Sequence, residues 1–169
     1  LITRTPLEIE RKFLIDRPSA AWLSAWPNSR MLEITQTYLI APPGEETRLR
    51  QWTAGGTTRW SHTVKRKVSD LTREETERAI TQEEYTALLS RADSTKDPLT
   101  KQRWQLPYRG QILEIDLYPF WEDCAILEVE LDTENSPIFF PPELRIRREV
   151  TYDPSYKNSA LANRRYPHD

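Results

Sequence analysis

The sequence predicts a mainly β fold, in which eight antiparallel strands form one sheet that a few helices cover. Eight segments alternate between apolar and polar residues or are rich in β-branched and aromatic residues, as strands are. Two short turns, at Gly55-Gly56 and at Arg109-Gly110, join neighbouring segments as tight hairpins do. Helical periodicity is confined to a few segments between the strands.

The predicted strands follow one another along most of the chain. They cover residues 6–15, 31–40, 46–52, 58–68, 71–80, 101–108, 111–118 and 124–131. Strands joined by short turns pair antiparallel, so we expect consecutive strands to be neighbours in the sheet.

Three segments carry helix signals. Thr81 and Glu84 form a capping box before apolar residues with helical spacing, which predicts an amphipathic helix over residues 82–92. Asp153 followed by Pro154 predicts the start of a C-terminal helix. Residues 19–26 are a further helix candidate.

Length and composition limit the functions that the chain can have. We expect residues 1–169, of which 37% are hydrophobic, to form a single domain with one core. The net charge of −2 argues against a nucleic-acid partner, and no apolar run approaches the ~20 residues of a membrane span. The single cysteine cannot form an internal disulfide, so we expect a cytoplasmic protein. We expect no membrane partner, and either a monomer or a homodimer.

Charged residues recur at every second position in strand after strand. Side chains two positions apart lie on the same face of a strand, and the other face of several strands is apolar. The charged positions are Glu8, Glu10, Lys12, Arg48, Arg50, Lys65, Lys67, Arg73, Glu75, Glu77, Lys101, Arg103, Glu114, Asp116, Glu128 and Glu130.

An ordinary half-solvated sheet also alternates polar and apolar residues, so this pattern could describe a hydrated outer face. Two features argue against that interpretation. Charge occupies consecutive positions on one face, and like charges are grouped on the same strand although they repel. A polyphosphate with divalent metal ions fits both signs, because basic residues bind phosphoryl oxygens and carboxylates bind Mg²⁺ or Mn²⁺.

The motifs resemble those of the CYTH superfamily, the triphosphate tunnel metalloenzymes. "EIERK" at Glu8 to Lys12 matches the E-x-E-x-K signature, and "EVTYDPSYKN" resembles the closing strand and helix of that family. The resemblance spans about residues 7 to 161. Between those two motifs the family's strand motifs follow in order as "RLR", "TVKRK", "REETE", "KQR", "EID" and "EVE".

The resemblance implies a closed eight-stranded antiparallel barrel, whose interior is a tunnel that binds a triphosphate with metal and hydrolyses it. It implies phosphate contacts from Lys12, Arg48, Arg50, Lys65, Lys67, Arg73, Lys101 and Arg103. It implies metal ligands among Glu8, Glu10, Glu75, Glu77, Asp116, Glu128 and Glu130, whereas Glu114 is a looser match.

The expected chemistry is phosphoryl transfer to water, which depends on positioning and on neutralising charge. We expect two Mg²⁺ or Mn²⁺ ions, one organising the triphosphate and one positioning the attacking water. The residues expected to act most directly are Glu8, Glu10, Lys12, Lys65, Glu128 and Glu130.

Alternative functions remain open at this stage. The protein could be a non-catalytic binder of polyphosphate, although such a protein has no use for glutamates that repel its ligand. The family also contains adenylate cyclases, nucleoside triphosphatases and thiamine triphosphatases. We expect inorganic triphosphate as the substrate, because we expect Trp52, Trp60 and Trp104 to pack on the exterior and only Tyr38 to be a possible inward aromatic residue.

Overall fold

A computed structural model describes residues 7–69, 72–163 and 167, and these residues form nine strands. Eight correspond to the strands predicted from the sequence, and a short ninth strand follows them. The strands are β1 (Leu7–Asp16), β2 (Arg30–Leu39), β3 (Glu45–Ala54), β4 (Thr57–Lys67), β5 (Thr72–Ile80), β6 (Leu99–Tyr108), β7 (Gln111–Leu117), β8 (Cys124–Glu130) and β9 (Ile146–Glu149).

The sheet closes on itself through β1. Its strand order is β5-β4-β3-β2-β6-β7-β8-β1-β9, and an additional antiparallel pairing joins β5 to β1. Residues 7–9 of β1 pair with β5, residues 10–16 pair with β8, and residues 13–15 pair with β9. The predicted closed eight-stranded antiparallel barrel is therefore confirmed, with β9 added outside the closure.

The predicted hairpin turns have the backbone conformation that a two-residue connection requires. Gly55 and Gly56 have φ of 57° and 80°, and Arg109 and Gly110 have φ of 49° and 73°. Positive φ at both central residues is the type I′ pattern, whose twist matches that of the flanking strands. These turns fix the registers of β3 with β4 and of β6 with β7.

The apolar face of the barrel points outward on β1, β7 and β8. Phe13, Ile115 and Leu127 belong to one buried cluster that also contains Leu23 from helix α1 (Ala20–Ala25). Each fully buried side chain of this size contributes about 1.5–3 kcal/mol relative to an exposed one. A covered outer face leaves the opposite, charged face of these strands for the barrel interior.

A second buried cluster packs where the interior of the barrel meets the C-terminal segment. Leu14 and Ile126 lie on the inward faces of β1 and β8, and they pack with Tyr118, Trp121 and Tyr156. Apolar packing at these positions ends the charged stretch of the interior.

The helices are shorter than the sequence predicts. Helix α2 (Gln82–Leu88) has the predicted capping box, but a 3₁₀ turn follows over Leu89–Arg91. The backbone of residues 91–93 forms hydrogen bonds with the end of β2. Because residues 91–93 pair with a strand, the helix ends before them. The predicted C-terminal helix is a 3₁₀ turn (Pro154–Tyr156) and a separate helix α3 (Asn158–Leu161), because Lys157 between them is extended.

No helix in the described part of the chain has the length and apolar character needed to cross a membrane.

Candidate active site

The barrel encloses a cavity of about 520 Å³ whose lining is mostly charged. Strand alternation explains the lining, because inward-facing residues of each strand are spaced two apart. Most of the predicted site residues line the cavity, namely Glu8, Glu10, Lys12, Arg48, Arg50, Lys65, Lys67, Arg73, Glu75, Glu77, Arg103, Glu114, Glu128 and Glu130.

Two buried arginines form the centre of the basic wall. Arg48 and Arg50, on the inward face of β3, are only 6% and 7% exposed. Within the described residues, the Nε atom of each has no hydrogen-bond partner, although Arg50 Nη2 donates to Gln36 Oε1 at 2.8 Å. Burial, Arg48 and Arg103 lower the pKa of Arg50 to about 10. A buried arginine whose Nε lacks an acceptor and which lies among other cations, as Arg50 does, can bind an anion.

Lys65 stands between two carboxylates at one side of the cavity. Its Nζ lies 2.8 Å from Glu8 Oε1 and 3.5 Å from Glu75 Oε2. Burial opposes ionisation of Glu8, but Lys65, a hydrogen bond with Glu75 and the charge of Arg48 together outweigh it and lower the pKa of Glu8 to about 2. Burial and the Glu8 charge raise the pKa of Glu75 to about 7 although Lys65 opposes them. One lysine therefore neutralises only one of the two glutamates.

A second group of carboxylates lies between β1 and β8. Glu10 is the register partner of Glu130, and Lys12 is the register partner of Glu128. Burial, Glu128 and Glu8 raise the pKa of Glu10 to about 8, although Lys12 and Lys65 oppose them. Lys12 Nζ lies 3.8 Å from Glu128 Oε1. A divalent cation would offset the burial and the repulsion that raise the pKa of Glu10.

The donor chemistry of the cavity fits Mg²⁺ or Mn²⁺. Carboxylate oxygens are the ligands that these ions prefer, and they come from both groups described above. In the part of the chain that the structure describes, no three Asp, Glu, His or Cys side chains form a complete metal cage. Magnesium sites of enzymes that act on phosphates commonly use one or two carboxylates, with waters and substrate phosphates as the other ligands.

Two predicted site residues lie behind the lining. Lys101 and Asp116 do not line the cavity, and both side chains are completely buried. Lys101 Nζ lies 2.7 Å from Asp116 Oδ2, and Arg103 donates to both Asp116 oxygens, from Nε at 2.8 Å and from Nη2 at 2.9 Å. Arg103 is the member of this group that reaches the cavity.

Lys67 and Arg73 line the cavity on β4 and β5, where they are register partners. Arg73 Nη1 donates to the carbonyl of Ser69 at 3.0 Å. Glu77, farther along β5, accepts from Thr63 Oγ1 at 3.2 Å. The predicted alternation of the two strands is thus present in the lining.

One stretch of the lining is apolar, and the expected position of Trp52 was wrong. Leu32, Ile34 and Trp52 line the cavity, and Ile34 and Trp52 are register partners on β2 and β3. Trp52 faces inward because it is two residues after Arg50 on the same strand. Trp60 and Trp104 pack against buried clusters instead, as expected.

No family model matches the sequence. The chain is 32% identical to the inorganic triphosphatase of Nitrosomonas europaea over 157 residues, which are 92% of this chain and 96% of that protein. This chain belongs to the CYTH superfamily of triphosphate tunnel metalloenzymes. Enzymes of this kind are generally metal-dependent.

Solved structures share the fold of this tunnel metalloenzyme. The crystal structure of the inorganic triphosphatase NE1496 matches it with a TM-score of 0.57 and 29% identity, over 92% of this chain and 94% of that chain. The PH1819 protein of Pyrococcus horikoshii OT3 matches with a TM-score of 0.56 and 18% identity, over 75% of this chain and 80% of that chain. At that lower identity the match shows a common fold.

The tunnel lining also contains polar residues that the sequence analysis missed. Glu46 lines the cavity two residues before Arg48, so extending the same spacing by one step could have found it. Thr151, Asp153 and Lys157 come from the segment after β9, which carries no strand alternation to reveal them. Burial, Arg73 and Lys67 lower the pKa of Lys157. Lys157 therefore adds one more cation to the basic side of the tunnel.

Proposed function

We propose that this protein hydrolyses inorganic triphosphate in its tunnel, breaking the terminal phosphoanhydride bond with the help of Mg²⁺ or Mn²⁺. The observation that carries the proposal is the pair of buried arginines, Arg48 and Arg50, whose Nε donors have no acceptor among the described residues. The same cavity holds buried glutamates whose charges need a cation. The relative from N. europaea, named an inorganic triphosphatase, supports the same substrate.

The cations of the lining would bind the phosphates. Arginine offers paired donors to phosphate oxygens, whereas lysine acts as a point charge. We assign this role to Lys12, Arg48, Arg50, Lys65, Lys67, Arg73 and Arg103.

The glutamates would hold the metal ions. Glu8, Glu10, Glu128 and Glu130 come from the paired strands β1 and β8, and Glu75 and Glu77 come from β5. A bound divalent ion supplies charge neutralisation at phosphate oxygens and a more acidic water. We propose two such ions.

The residues of the chain would mainly position the triphosphate and stabilise the charge that develops during the reaction. Charge grows on the bridging oxygen of the leaving diphosphate as the bond breaks, and cations held in a buried site stabilise that charge without reorganising. Lys12 and Lys65 are anchored beside Glu128 and Glu8, so both ammonium groups are held at the cavity wall before the substrate enters. Water is the nucleophile, and the products are phosphate and diphosphate.

The proposal is tested by phosphate release from tripolyphosphate. Release should require added Mg²⁺ or Mn²⁺ and should stop in excess chelator. Glu130→Gln should reduce it strongly, whereas Glu83→Gln, on exposed helix α2, should leave it unchanged. Binding without phosphate release in any divalent metal would identify a non-catalytic binding module instead.

A second candidate is favoured by the apolar part of the lining. Leu32, Ile34 and Trp52 could contact an organic group on the triphosphate, and a cavity of about 520 Å³ is within the range that holds organic ligands. Turnover of tripolyphosphate, ATP, thiamine triphosphate and pyrophosphate should be compared side by side. A tenfold preference for ATP or thiamine triphosphate would replace the first proposal, and release of cyclic AMP would identify a cyclase.

We also propose a cytoplasmic location, one domain over residues 1–169 and a small-molecule substrate, with no nucleic-acid or membrane partner. The balanced charge of −2 and the free, buried thiol of Cys124 support this setting. The protein would act as a monomer or a homodimer.

A further inference from the structure

Asp116 and Lys101 form a buried ionic group with Arg103 directly behind the cavity wall. We propose that Asp116 is a positioning residue, which holds Arg103 in place for the triphosphate and does not itself bind the metal ion. This inference rests on the proposed function, because it gives Arg103 a phosphate to bind. It changes the role that the family resemblance implies for Asp116.

The hydrogen bonds of Asp116 leave little for a metal. Oδ1 accepts from Arg103 Nε at 2.8 Å, while Oδ2 accepts from Arg103 Nη2 at 2.9 Å and from Lys101 Nζ at 2.7 Å. The carboxylate is completely buried and is not part of the cavity lining. To coordinate an ion in the cavity, it would have to move and release two buried cations, which is costly.

The same bonds determine where Arg103 points. A guanidinium has five donors in a fixed plane, so anchoring Nε and Nη2 on one carboxylate sets the direction of Nη1. Nη1 lies 3.3 Å from Glu114 Oε1, and Glu114 lines the cavity. The arrangement therefore holds one edge of Arg103 on Asp116 and leaves the other edge near the cavity.

Lys101 is the second basic residue that binds Asp116. Glu114 pairs with Arg103 from the cavity side, so the charges around Arg103 are largely balanced. Arg103 Nη2 is 3.9 Å from Glu128 Oε2, whereas it is 2.9 Å from Asp116 Oδ2. The guanidinium is therefore hydrogen-bonded to Asp116 and only distantly paired with Glu128, one of the proposed metal ligands.

The test measures metal binding and triphosphate binding separately. Mn²⁺ alone is titrated into wild type, Asp116→Asn, Arg103→Lys and Glu10→Gln, with bound Mn²⁺ measured by electron paramagnetic resonance. Tripolyphosphate with Ca²⁺ is then titrated calorimetrically into the first three and into the double variant Asp116→Asn/Arg103→Lys.

We expect Asp116→Asn to keep the Mn²⁺ affinity of wild type, while Glu10→Gln loses it. Asp116→Asn and Arg103→Lys should each weaken tripolyphosphate binding by about 10- to 100-fold, the scale seen when a residue that orients a ligand-binding side chain is replaced. The double variant should bind tripolyphosphate no more weakly than the weaker-binding single variant, because both substitutions disrupt the same Asp116–Arg103 contact.

Loss of Mn²⁺ binding by Asp116→Asn, or additive losses in the double variant, would overturn the inference. If Asp116→Asn does not fold, Asp116→Asn/Lys101→Met replaces it, because that pair removes one charge of each sign from the buried group. Wild type that binds Mn²⁺ but not tripolyphosphate would refute the proposed function as well. Unchanged tripolyphosphate binding in Asp116→Asn would refute only the positioning role.

Discussion

Glu10 and Glu130 lie directly opposite each other on β1 and β8, with both side chains in the lining of one cavity. Glu128, the next inward residue of β8, is the register partner of Lys12. Facing carboxylates on neighbouring strands destabilise a sheet unless a proton or a cation separates them. In the metal-free protein, the charges of Glu128 and Glu8 repel that of Glu10 at the place where the metal is proposed to bind.

The stability of the metal-free protein should depend on pH through Glu10. Its pKa is raised from 4.5 to about 8 by burial, Glu128 and Glu8, so between these pH values the folded state keeps a proton that the unfolded state has released. The free energy of unfolding should then fall as pH rises, by up to about 1.4 kcal/mol per pH unit. The Glu10 contribution is fully present below about pH 4.5 and is lost as the pH passes 8.

Thermal melts in chelator at pH 5.5 and pH 8 measure this effect, with Glu10→Gln as the comparison. The variant should be more stable than wild type by several degrees at pH 8 and by much less at pH 5.5. An equal difference at the two pH values would show that Glu10 titrates normally.

Removing one glutamate should separate stability from activity. Glu130 is exposed at the end of β8, so the metal-free Glu130→Gln variant should melt within a few degrees of wild type. Its phosphate release from tripolyphosphate should nevertheless fall strongly, because a proposed metal ligand is lost. Full activity in this variant would indicate that Glu130 lies outside the working site.

Tripolyphosphate should stabilise the fold through the buried arginines. At a concentration one hundred times Kd the gain is about 2.7 kcal/mol, which corresponds to a rise in Tm of roughly 5–10 °C for a domain of this size. Arg50→Ala should reduce both the shift and the turnover. The exposed Arg91→Ala should change neither, as expected for a surface residue.

These melts use Ca²⁺ as a metal expected not to support turnover, so that the ligand survives heating. Identical shifts in wild type and Arg50→Ala would exclude this arginine from the site. No shift in either protein would leave the tunnel without a triphosphate.

Trp52 should influence the choice between substrates. If its ring contacts only the cavity wall, Trp52→Ala should change the turnover of tripolyphosphate and ATP by the same factor. If an organic group packs on it, the variant should lose ATP turnover selectively, by about 5- to 150-fold for a stacking contact of 1–3 kcal/mol. Trp60→Ala, on the outer side of the barrel, is the matched control.

The sequence predicted the strands well because two signals agreed there. The alternation of charge at Glu8, Glu10 and Lys12, or at Arg48 and Arg50, shows both the strand and its inward face. The closure of the barrel could not be predicted from the strand patterns. Residues 7–9 pair with β5, which is far along the chain, and no local pattern encodes such a pairing. The closed barrel came only from the family resemblance.

Alternation also predicts a face but not a depth. Lys101 and Asp116 have the inward parity of their strands, yet they lie behind the lining, because Asp116 binds both Lys101 and Arg103 in the filled part of the barrel. Trp52 shows the reverse error, because its residue type suggested the exterior whereas its position two residues after Arg50 placed it inside. Spacing was the more reliable guide in that case.

The triple pairing of β1 sets the order in which the site can be assembled. Among the described strands β1 comes first in sequence. Its partner β5 lies near the middle of the chain, and its partners β8 and β9 come last. Contacts between residues so far apart form late, because a long loop must close before they can be made. A nascent chain that ends before β8 therefore contains Glu8, Glu10 and Lys12 but no binding site, and triphosphate can assist folding only after nearly the whole domain has been synthesised.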